Sequence, residues 1–129
     1  MVRQASELAQ VFAAIQQSGA DAVDVLSDAM FNTERRLIAM LAVDHRLPTI
    51  YEDREQVKDG GLISYGPSVT EAARHAAVLV DKVLRGAKPN DLPIEQPTKF
   101  EFVINLKTAR SLSLTISPSL LARADEVIE

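Results

Sequence analysis

The sequence predicts an α/β protein built on a parallel sheet, and three observations carry that prediction. Strand-like and helix-like patterns alternate along the 129 residues. The strand-like runs are short, rich in β-branched residues and bounded by turn residues, while the stretches between them repeat apolar residues at three- and four-residue spacing. Strand, helix, strand, turn, strand, helix in that order favours right-handed crossovers that lay helices on the sheet faces.

The elements follow in order. Residues 4–17 place Leu8, Val11, Phe12 and Ile15 on one side of a first helix ending near Ser18 and Gly19. DAVDVLSD, residues 21–28, is too short for a helix and reads as the first strand through Val23, Val25 and Leu26. Asn32 or Thr33 can cap the next helix, whose buried stripe is Leu37, Ile38 and Leu41 and which Pro48 stops. PTIYE, residues 48–52, is the second strand, and DREQVKDGG leads through a helical turn to the third, LISYG. Ser68 or Thr70 caps a long third helix with an apolar face from Ala73 to Leu84, closed by Arg85 and Gly86. AKPNDLPIEQPT carries three of the six prolines and no periodicity, so residues 86–97 form an extended connection and the one expected hinge in an otherwise single 1–129 domain. FEFVIN is a fourth strand, with Phe100, Phe102 and Ile104 expected on its covered face and Glu101 and Asn105 on its wet one. A short helix over 106–112 and a last one over 118–128, capped by Ser117, complete the chain.

Composition removes several function classes. A net charge of -4 with no cluster of Lys and Arg argues against nucleic acid as a partner. Without cysteine there is neither a disulfide framework nor a thiolate metal site. His45 and His75 fall on separate helices with no carboxylate or second histidine at ligand spacing, so they read as solvated residues rather than zinc ligands. No phosphate-binding glycine motif occurs, no catalytic constellation stands out, and no cofactor is implied. The first residues, MVRQASELAQVF, lack the apolar stretch of a secretory signal, and no run approaches the roughly 18 apolar residues of a membrane span. The chain therefore reads as soluble, with its compartment left open.

In open parallel sheets, ligands bind outside the carboxyl ends of the strands, where loops vary and helix N-termini converge. The first strand finishes with Ser27 and Asp28, the second with Tyr51 and Glu52, the third with Ser64, Tyr65 and Gly66. Ser27, Asp28, Tyr51, Ser64 and Tyr65 are the candidate ligand-binding residues. Their hydroxyls, rings and carboxylate suit a small polar or zwitterionic molecule held by hydrogen bonds and stacking. Gly60 and Gly61 permit a tight entry into the third strand, and Gly66 a close approach of backbone to a ligand or to the following helix.

The phrases GGLISYG, VDKVLRGAKPNDLPIEQPTKFEFVINLKTA and ISPSLLARADEVIE resemble the C-terminal portion of ABC-transporter substrate-binding proteins, in the group related to tryptophan and aromatic amino-acid binders. Residues 1–46 fit the segment that precedes it. The resemblance implies a parallel-sheet, three-layer, Rossmann-like lobe of the type I periplasmic-binding fold, and capture of a solute such as an amino acid without chemistry. It also implies a membrane permease as partner and a periplasmic or lipoprotein-anchored location. Family members are more than twice this long and close two lobes over the ligand, whereas this chain corresponds to the second lobe and the closing segments. Ser113 stands where that family usually has glycine, and Ser117 where proline is common. The alternative is a truncated lobe serving as a homodimeric interaction module, its exposed sheet edge paired with a second copy. GAKP, residues 86–89, is similar to the lysine-proline of receiver domains, but it follows a helix, Asp28 stands alone after the first strand, and the third strand ends in SYG rather than aspartate.

Overall fold

Five strands form one sheet in the order β1-β2-β3-β4-β5: Val23–Val25, Thr49–Tyr51, Ile63–Pro67, Phe100–Asn105 and Glu126–Ile128. The computed structural model describes Val2 and residues 4–129. Strands β1, β2 and β3 run parallel with Val25, Tyr51 and Ser64 at one level, and β4 and β5 run parallel with Ile104 beside Val127. Asn105 N–H donates to Leu62 O at one end of the β3–β4 pair, and beyond the other end Ser68 N–H donates to Lys99 O, so these two strands are antiparallel. The sheet is thus mostly parallel, and the α/β class holds.

The helices are α1, Leu8–Gln17; α2, Ala29–Thr33; α3, Arg35–Asp44; α4, Arg54–Lys58; α5, Val69–Leu84; α6, Leu106–Ser111; and α7, Pro118–Leu121. Leu8 and Phe12 of α1, Ile38, Leu41 and Ala42 of α3, and Val57 of α4 meet Val25, Leu47, Tyr51 and Val103 in one buried cluster. Each of those side chains removes its apolar surface from water at about 25 cal/mol per Å², which is what holds the short strands in register.

Three expectations change. The cap of the second helical segment is Asp28, whose Oδ1 accepts from Met30 N at 2.8 Å, not Asn32 or Thr33; the segment breaks at Glu34 into α2 and α3. The tail forms only α7 and then β5, because Pro118–Leu121 is followed at once by residues that pair with β4. In β4 burial grows along the strand instead of alternating: Phe100 is 46% exposed, Ile104 is fully buried as expected, and Val103 and Asn105 on the other face are buried as well, Asn105 to 5% exposure. Polar partners decide this. Asn105 Nδ2 donates to Val57 O and its Oδ1 caps α6 at Thr108 N, while Glu101 pairs with Arg54.

By compactness the chain divides into two units, Met1–Gly66 with Glu101–Glu129, and Pro67–Phe100. The division falls inside β3 and β4, whereas the expected hinge at 86–97 lies wholly within the smaller unit. Among the described residues no helix is long and apolar enough to cross a membrane.

Candidate functional site

β1, β2 and β3 are parallel and in register; β1 and β2 end at the level of Ser64, and β3 runs on to Pro67. One level above Val25, Tyr51 and Ser64 stand Leu26, Glu52 and Tyr65; Ser27 and Asp28 follow on the first strand. Ser27, Asp28, Glu52 and Tyr65 are exposed. Tyr65, 58% exposed, meets the ring of Phe102 edge-on at 6.3 Å, which fixes its orientation from the neighbouring strand. Asp28 lies three residues beyond the end of β1 and caps α2.

Tyr51 and Ser64 differ from the other three predicted residues. They are 2% and 1% exposed, lie on the covered face of the sheet, and neither Tyr51 Oη nor Ser64 Oγ has a hydrogen-bond partner of full geometry. Burial pushes the Tyr51 phenol above its ordinary value, and the Thr49 hydroxyl offsets only part of that. Two buried hydroxyls without a fully formed hydrogen bond lie directly under the rim, and leaving such groups unsatisfied costs stability.

The glycines explain how the rim stays tight. A Cβ on Gly66 would collide with the carbonyl of Glu52, so the close approach is to the end of β2 rather than to α5. A Cβ on Gly61 would strike the Tyr51 ring and Gln56 O. Gly60, at φ 115°, takes the left-handed turn that ends α4.

Sequence reasoning missed the charged groups behind this rim. Arg54, the first residue of α4, is capped into place by the Asp53–Gln56 box and pairs with Glu101 at 3.4 Å and with Glu126. Arg35 and Arg36 both bind Asp59, with Arg36 Nε at 3.0 Å. Hydrogen bonds from Arg36, then Arg35, hold the Asp59 carboxyl below its ordinary value. Partners that lie 47 and 72 positions apart leave no local signal. His75 also gains a carboxylate the spacing did not show, Glu95 at 2.9 Å, and His45 is fastened by Gln16 Oε1 and stacks on Phe12. A cavity of about 250 Å³ between α5 and residues 95–99 contains none of the five predicted residues.

Residues 1–128 match the family described as ABC transporter substrate binding protein. The chain belongs to that family. It is similar to the ABC domain from Streptococcus pneumoniae solved in complex with L-Trp, at 28% identity over 98% of this chain and 43% of that one, with a TM-score of 0.88. A conserved domain protein from Vibrio cholerae shares the fold at 22% identity and TM-score 0.87, over 96% of this chain and 42% of that one. Among curated proteins it is similar to the uncharacterized protein RP367 of Rickettsia prowazekii, 27% identical over 84 residues, 65% of this chain and 28% of that protein. The chain therefore spans less than half the length of each of these relatives.

Proposed function

We propose that this chain supplies one wall of a solute-binding site, at the carboxyl ends of β1, β2 and β3, for a small zwitterionic molecule of the aromatic amino-acid class. The observation that supports the reading is the in-register parallel pairing of β1, β2 and β3, beyond which Ser27, Asp28 and Tyr65 are exposed. Asp28 offers a carboxylate for an ammonium group, Tyr65 an aromatic face for a ring, and Ser27 a hydroxyl that donates or accepts. Tyr51 and Ser64 hold their hydroxyls beneath the same rim, and Gly66 keeps β3 close to β2. The role is capture without chemistry, and the site is read as one that needs no cofactor. The L-Trp complex of the Streptococcus pneumoniae relative supports the ligand class.

Family membership supports delivery to an ABC-transporter permease, and a location outside the cytoplasm. Pockets of this kind bury most of the ligand surface, so one wall alone binds weakly. The test is the thermal midpoint of the chain against a panel of amino acids including L-tryptophan. Binding to the folded state raises the midpoint by mass action, and Asp28→Ala and Tyr65→Ala should abolish the rise. No shift with any member at millimolar concentration removes the reading.

A further inference from the structure

Just past the end of β2 stands a charged group that no contact within the chain uses. Glu52 is exposed, and among the described residues its carboxylate makes no hydrogen bond and no ion pair. Large apolar and aromatic side chains stand at the same level on the strands to either side. Leu26, just past β1, is 70% exposed, and Tyr65 of β3 is 58% exposed and held edge-on by Phe102. A carboxylate set among such side chains attracts a cation more strongly than one in open water, because they displace part of the water that would screen it.

No cation of these segments answers Glu52. The first basic residue after it is Arg54, whose terminal nitrogens go to Glu101 and Glu126, so that group sets one positive charge against two negative ones. Arg35 and Arg36, the first basic residues after β1, are both bound to Asp59. Asp28 adds a second carboxylate past β1, and its printed bond engages Oδ1 alone, with Met30 N. The strand ends thus offer anionic oxygens, one ring and aliphatic surface. A metal ion does not suit them: hard cations take six or more oxygens, and among the described residues no group of three or more His, Asp or Glu could hold one. An organic ammonium does. It brings three donors for carboxylate oxygens, and its apolar body has Leu26 and Tyr65 to lie on, the second a ring whose face also attracts positive charge.

We propose that Glu52 is, with Asp28, the ammonium-binding residue of this wall, and that the wall reads the ammonium and the ring of its ligand and not the carboxylate. The inference rests on the strand-end rim being the binding site. Its consequence is that an aromatic primary amine is a full ligand of this chain, whereas an aromatic acid without an ammonium group is not. The experiment is calorimetric titration of the full chain with three probes that share an indole ring: tryptamine, which carries only the ammonium; L-tryptophan, which carries both groups; and indolepropionate, which carries only the carboxylate. Tryptamine should bind at least as tightly as L-tryptophan, and indolepropionate about tenfold or more weakly than either. Glu52→Gln removes the charge at an exposed side chain without partners, so it should leave the unfolding midpoint of the ligand-free chain in place and weaken tryptamine about tenfold. Binding of L-tryptophan without binding of tryptamine overturns this inference and leaves the rim reading standing. Indolepropionate that binds as well as L-tryptophan overturns it too, as does a Glu52→Gln chain that holds tryptamine like the wild type. Binding of none of the three removes the rim reading, and this inference with it.

Discussion

At φ 57°, Ser113 occupies the left-handed region directly after α6, where its N–H bonds to Arg110 O and the next N–H, of Leu114, reaches back to Ala109 O. That is a helix stop in which glycine carries no steric penalty. Ser113→Gly should raise stability by about 1 kcal/mol, read from the urea midpoint. Gly66→Ala should do the reverse, costing roughly 1–3 kcal/mol, because the new methyl group must displace the Glu52 carbonyl and part β2 from β3. Two ionisable groups set the pH limits. The depressed Asp59 carboxyl stabilises the fold above its ordinary value of 3.8, and that contribution is lost as the pH falls through its lower folded-state value. Asp59→Asn should therefore lower stability at neutral pH and flatten the acid limb of a denaturation series. Tyr51 has the opposite sign: its contribution is intact below 10.0 and is lost as the pH rises through its higher folded-state value. Tyr51→Phe should flatten the alkaline limb while leaving neutral stability close to unchanged, since Oη has no full hydrogen bond to lose.

Among the elements, the ones written locally were legible and the ones written by partners were not. Ser68 and Ser117 announce their helices through short side-chain to backbone bonds, and each helix starts where the sequence puts it, although the one after Ser117 stops at Leu121. The start of α2 was misplaced because four polar residues compete within seven positions, and only the end of β1 selects Asp28. Asp28→Ala should cost about 1 kcal/mol in stability, measured by denaturant unfolding, and also remove any ligand-induced shift. In β4 the alternation rule placed Ile104 correctly but left Asn105 in water, because Asn105 reaches Val57 O of α4, and Glu101 reaches Arg54 of the same helix, across distances an alternation rule cannot see. Strand β5 is three residues long, and its pairing with β4 is what makes it a strand.

At the scale of the molecule, the strand-end rim proposed as one wall of a solute site has its own readout, a thermal shift. The rim reading predicts in addition that a longer polypeptide supplying a second wall should sharpen ligand binding by at least about tenfold, measured by calorimetry with L-tryptophan. An unchanged affinity on completing the wall would mean that the rim is not where the solute sits.

The alternation of short β-branched runs with amphipathic helices was enough to determine the α/β class, the order of the elements as far as β4 and the residues at the first three strand ends, because periodicity and capping act over a few residues. Which side chains at those ends face water was decided only by the tertiary structure. The register of β2 against β3 turns Tyr51 and Ser64 under the sheet while Tyr65, one position along, turns out of it. A pleat alternates by single residues, so register, which is set by packing across the whole core, assigns each hydroxyl its side.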